Sequence, residues 1–326
     1  MEHQNGMHEN DDTVLYAINH PVGLVTEALL RWWYRQDPKD AEGLRDEVKP
    51  LFNKICDTEI EKFRHGRVLL AAHTIALFRV DEKWAKAYLL PLFDWQLSEV
   101  EARAAWEGFL WSPRLYRPLL SAIKQPLLET ATHYEELGKH AKQYAAFLTI
   151  VALDLGDTFT TKELAEVTNI LPTEGLQSAV QAVTRALVGA DEQRGKYWSN
   201  RVLPYFKSVW PKNRDVMMIP KISELLGGLC VAAREAFPEA LEELQYWLQP
   251  IEHPFHLVHL LNEAKLCNQF PSDALAFLNA IIDDNAQLLL GEFKQCLDDI
   301  EKADQALAED GRFLRLSQVF EKHGIS

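Results

Sequence analysis

The sequence has no closely spaced cysteines, no signal-like N-terminus and no apolar run long enough for a bilayer. Its four cysteines, Cys56, Cys230, Cys267 and Cys296, include no Cys-x-x-Cys pair. That spacing excludes the common zinc knuckles and gives no disulfide framework, so they read as small buried residues in a reducing compartment. The strongly apolar stretches 68–78 and 145–155 reach about half of the ~20 residues that a membrane helix needs. The opening, MEHQNGMHENDD, is polar and acidic, the opposite of a secretory leader. Together these absences predict a cytoplasmic protein with no membrane association. Glycine and proline, at 15 each, are too few for a flexible or collagen-like chain.

Basic charge is also in deficit. Thirty-four Lys and Arg face 48 Asp and Glu, a net charge of −14. The summed field repels nucleic acid and anionic lipid and favours solubility, without bearing on fold.

Recognisable reaction centres are missing as well. No HExxH, GxSxG or GxGxxG pattern occurs. The nearest approach to a phosphate loop, Gly189-Ala-Asp-Glu-Gln-Arg-Gly195-Lys196-Tyr197, has five residues between its glycines and tyrosine after lysine. A P-loop needs four, and a hydroxyl there to ligate magnesium, so a polar turn is the better reading. His253, His256 and His259 form the best metal candidate, yet His253 precedes Pro254 and falls outside the helix. Zinc pairs on helices use i, i+4 spacing, so solvent-facing or satisfied histidines are favoured and neither metal nor cofactor is assigned. No catalytic residue is assigned either. An enzyme would need carboxylates and histidines gathered from distant segments into a deep polar pocket.

What the sequence does have is helical punctuation. Residues 1–13 read as a disordered acidic tail, and 14–326 as a single elongated helical domain with a point of subdivision near 189–195. His20-Pro21 opens a helix, with Val22, Val25, Leu29 and Trp32 as its expected inward stripe. A second helix is expected over 42–57, kinked at Pro50, and a third over 64–79. Asp81 and Ser98 are expected N-caps, and Thr160 with Glu163 suggests a capping box. Further helices are expected over 176–188, 197–210, 219–237, 238–249, 254–270 and 271–282. A long acidic helix near 285–308 and a last one over 312–322 complete the array. No hairpin signal appears. This many short helices with short connections predicts an all-α fold, an irregular α-solenoid or HEAT-like array of helical hairpins. Lys-Pro-Leu-Phe at 49–52 and Leu-Pro-Leu-Phe at 90–93 recur 41 residues apart, within the HEAT period. Leu-Pro-Tyr-Phe at 203–206 echoes them out of phase.

Charge and aromatic residues are unevenly placed. Arg194, Lys196, Arg201, Lys207, Lys212, Arg214 and Lys221 stand against one acid, interleaved with Tyr197, Trp198, Tyr205, Phe206 and Trp210. Cations with rings can hold a nucleic-acid backbone and stack bases. In an acidic chain, buried rings beneath a solvated basic face are the favoured reading. Residues 283–310 are the converse, nine acids with two lysines, and could neutralise that face within the molecule or across a homo-oligomer. Six of the nine tryptophans lie between 32 and 111. They read mainly as core fillers, with Trp33 the one expected at an exposed interface because Trp32 takes the inward face.

The phrases Asn-His-Pro-Val-Gly-Leu-Val-Thr-Glu-Ala-Leu-Leu (19–30), Trp-Glu-Gly-Phe-Leu-Trp-Ser-Pro (106–113) and Leu-Gln-Pro-Ile-Glu-His-Pro (248–254) resemble an uncharacterised helical domain. That domain lies C-terminal to sirtuin-like NAD-hydrolysing domains in bacterial anti-phage proteins. The resemblance implies a sensing or regulatory part of a defence system, acting through a protein partner and not by catalysis. It also implies that this chain, which lacks the nucleotide loop, does not hydrolyse NAD alone and is a detached or truncated relative. A nucleic-acid-binding solenoid using 194–221 is the alternative.

Overall fold

Helix starts in this chain follow its side-chain caps and prolines. In the computed structural model, which describes residues 13–154, 156–213, 216, 219–284, 286 and 290–324, every regular element is helical and no strand occurs among the described residues. His20 accepts from the Val22 amide at 3.2 Å, and Pro21 begins α2 (Pro21–Arg35) directly behind α1 (Thr13–Asn19). The expected tail therefore lies outside the described residues except for Thr13, which is buried at the head of α1. Pro50 does not kink a helix. It stands in the first turn of α3 (Lys49–Cys56), where a missing N–H is costless, and residues 42–48 before it are not helical.

The expected third helix is two, α4 (Arg64–Ala72) and α5 (Thr74–Val80), parted at His73. Asp81 caps the next turn, accepting from the Trp84 amide at 2.9 Å. Ser98 caps α6 (Glu99–Leu110), α7 covers Ala141–Leu153, and Thr160 with Glu163 closes a reciprocal capping box on α8 (Thr161–Asn169). There follow α9 (Thr173–Gly189), α10 (Leu203–Ser208), α11 (Pro220–Ala232) and α12 (Phe237–Leu244). Lys265, at φ 55°, ends the run after α13 (Phe255–Glu263), so 254–270 is not one helix. The last three are α14 (Pro271–Ile281), α15 (Leu290–Ala303) and α16 (Gly311–Gly324). The acidic helix is shorter than its charge pattern suggests, because Asp304 leaves the helix and caps the following 3-10 turn.

The chain divides into two compact units, one of residues up to 147 with 156–171, the other of 148–155 with 172–326. The turn at 189–195 lies inside the second unit. In the first, α4 packs on α6 so closely that a Cβ on Gly108 would stand 2.3 Å from the Val68 carbonyl oxygen. Trp33, Phe52, Trp84, Phe93 and Trp106 fill its core. The indoles of Trp84, Trp95 and Trp106 donate to Asn53 Oδ1, Thr130 Oγ1 and the Phe93 carbonyl, which lets large polar-tipped rings be buried without loss. In the second, α11 is central, against α9 on one side and α13 on another, over Trp198, Phe206, Phe237 and Phe277. None of the described helices is long and apolar enough to cross a membrane.

Candidate interaction surfaces

Helix α2 carries two apolar stripes at the same spacing, and packing chooses between them by size. Gly23, Thr26, Leu30 and Trp33 face inward. The reason is close approach. A Cβ on Gly23 would lie 1.7 Å from the Ala17 carbonyl oxygen, and one on Gly66 of α4 would lie 2.7 Å from Thr26 Oγ1. Small residues thus seat α2 on its neighbours, and in the bulkier stripe, expected to be inward, Val25 and Trp32 are exposed while Val22 and Leu29 are half-buried.

This reverses the expectation for the tryptophans. Trp33 is 2% exposed, and its neighbour Trp32 is 42% exposed. Trp33 cannot serve an interface in this fold. Val25 is 69% exposed and, with Val22, Leu29, Leu51, Ile55 and Phe63, lines an apolar groove of about 410 Å³. Among the described residues Lys54 is the groove's one charged lining residue.

The basic stretch resolves into separate roles. Trp198, Tyr205, Phe206 and Trp210 are buried, so these rings are core and are not free to stack bases. Arg201 donates to the Leu153 carbonyl at 3.1 Å, which makes it a structural clasp. Lys196, Lys207 and Lys212 are exposed. Arg214 lies outside the described residues.

Arg194 belongs elsewhere, on a groove of about 730 Å³ within the second unit. There it shares the lining with Arg185 of α9 and with Arg234, which follows α11 in the left-handed conformation at φ 54°. Its Nη1 reaches the Ala232 carbonyl at 3.5 Å, and its Nε is buried without a hydrogen-bond partner. Among the described residues no carboxylate pairs with any of the three arginines. Val188, Leu225, Val231, Leu257 and Leu260 supply the apolar wall. Glu224 also lines the groove but is engaged by Lys221 at 2.7 Å. Arg185 and Arg234 were invisible as partners of Arg194 in the sequence, since helix packing, not spacing, brings them together.

The three histidines do not converge. His253 is exposed, His256 lines the same groove, and His259 Nδ1 meets Glu292 Oε1 at 2.9 Å, which raises its pKa. Among the described residues no three His, Cys, Asp or Glu side chains stand together as a metal site. In the acidic segment, Glu292 pairs with His259, Asp298 with Lys294 and Asp310 with Arg312.

No family model matches the chain, and no solved structure matches it. The chain is similar to an uncharacterised protein, y4cA, of Sinorhizobium fredii, at 27% identity over 171 residues. The match covers 48% of this chain and 14% of that relative, which is a much longer protein.

Proposed function

We propose that this chain is a non-catalytic helical interaction module that docks a protein partner on the open stripe of α2. The observation that carries the reading is the exposure of Val25 at an apolar groove and of Trp32 further along the same helix, whose other stripe is already buried. Contiguous apolar surface of this kind marks interaction sites, and an exposed tryptophan is a typical anchor. In the same reading the helices form an irregular HEAT-like array of hairpins. Its support is the x-Pro-x-Phe phrase at 49–52 and 90–93, which each time opens a helical turn and buries its phenylalanine. A regulatory role in phage defence rests on the resemblance alone. A cytoplasmic setting draws support from four buried cysteines without disulfides.

Site-specific photo-crosslinking in cells tests the docking face. A photoreactive residue placed at Val25 or Trp32 is expected to capture a discrete protein, and one placed at Lys207 is not. Equal capture at all three positions, or none, contradicts the reading.

The alternative, nucleic-acid binding, keeps the exposed Lys196, Lys207 and Lys212 as its support. With four of the five rings buried, it rests chiefly on phosphate contacts. Each contact would add about −0.9 to the slope of log affinity against log salt for duplex DNA. No binding at low salt would end it.

A further inference from the structure

We infer that the groove of the second unit binds a small, freely diffusing ligand with a phosphate head and an aliphatic body. Its volume, about 730 Å³, lies within the usual range for small-molecule sites. Its apolar wall is made by branched aliphatic side chains, and among the described residues its one aromatic ring is the imidazole of His256. That composition suits an alkyl body better than a stacked base.

The head group follows from the arginines. Elsewhere in the chain several arginines find carboxylates, as Arg31 does Glu27, Arg79 does Asp40 and Arg312 does Asp310, while Arg201 takes a backbone carbonyl. With 48 acids against 34 bases, such partners are abundant. Yet Arg185, Arg194 and Arg234 share one groove with no carboxylate paired to them among the described residues. The Arg194 Nε donor is buried and unmatched, and such a group favours any ligand that brings an acceptor. Arg234 holds its place from a left-handed backbone that glycine would occupy more cheaply.

Guanidinium forks match phosphate oxygens two at a time, and a phosphate monoester carries roughly −1.5 to −2 charges at neutral pH. A single carboxylate would leave two of the three arginines uncompensated. The net charge of −14 repels an anionic bilayer, so the ligand is taken from solution and not from a membrane surface.

Calorimetric titration of the full chain with octyl phosphate tests this, with inorganic phosphate and octanol as half-ligands. Saturable binding of one octyl phosphate per chain is expected, each half-ligand binding at least about tenfold more weakly. The double variant Arg194→Gln/Arg234→Gln should weaken octyl phosphate about tenfold or more, and the single variant Arg185→Gln at the exposed rim by a smaller factor. Circular dichroism and melting of each variant establish that it folds. Absent binding, equal binding of octanol, or indifference of both variants would overturn the inference. So would arginine-dependent sedimentation with phosphatidic acid vesicles when octyl phosphate does not bind.

Discussion

Arg67 and Glu101 form a two-point ion pair inside the first unit, Nε to Oε2 at 2.6 Å and Nη2 to Oε1 at 2.9 Å, with Arg67 only 1% exposed. The remaining guanidinium donor serves the carbonyls of Ile55, Asp57 and Ile60, and Arg64 adds a third bond to Glu101. One buried side chain thereby ties the end of α3 and the turn after it to α4 and α6.

Removing either partner strands a buried charge. Glu101→Gln should cost about 3–5 kcal/mol in denaturant unfolding, against much less for Arg64→Ala at the half-exposed edge. Burial pushes the Glu101 carboxyl up, but its bonds to Arg67 and Arg64 outweigh burial and hold it below the usual glutamate value of 4.5. A lowered folded pKa stabilises above the unfolded value and is lost as pH falls below it. The wild-type chain should therefore lose stability below pH 4.5 in a way that the Gln variant does not.

His65 gives a separate pH signal. Its ring lies 3.9 Å from that of His20 and 5.1 Å from that of Tyr16. Burial, with His20, Arg64 and Arg67 nearby, lowers its pKa from 6.5 to about 4. The unfolded chain binds this proton first, so stability is full above pH 6.5 and declines as pH falls towards 4. His65→Asn should flatten the slope of unfolding free energy over that window, measured by urea titration at successive pH values.

Two glycines make opposite predictions. Gly108→Ala forces a Cβ against the Val68 carbonyl and should cost about 1–3 kcal/mol or more in thermal unfolding. Gly228→Ala, in the middle of α11, meets nothing nearer than Leu257 Cδ2 at 3.9 Å. It should stabilise by about 0.5–1 kcal/mol through helix propensity.

Much of the helical order was legible because caps and prolines are local signals. Asp81, Ser98 and the Thr160–Glu163 box act within one turn of their own positions. The face of α2 was not legible. Hydrophobic patterning ranks Val22, Val25 and Leu29 above Gly23 and Thr26, and close packing selects the smaller set. The arginine groove was hidden for a related reason. Arg185, Arg194 and Arg234 come from three segments whose proximity exists only after α9 and α11 pack.

The adjacent tryptophans separate packing from docking. Trp33→Ala should cost about 3–5 kcal/mol in unfolding, whereas Trp32→Ala should change stability by about 0.5 kcal/mol or less. Tryptophan quenching by acrylamide should report loss of an accessible emitter only in the Trp32 variant.

The docking claim is tested most directly by affinity capture with the wild-type chain and Val25→Glu, which puts one charge at a position 69% exposed and whose fold is checked by circular dichroism. The account predicts a protein partner held by the wild type, lost with Val25→Glu and kept with Lys207→Glu. A partner held equally by all three, or none held by the wild type, would contradict it.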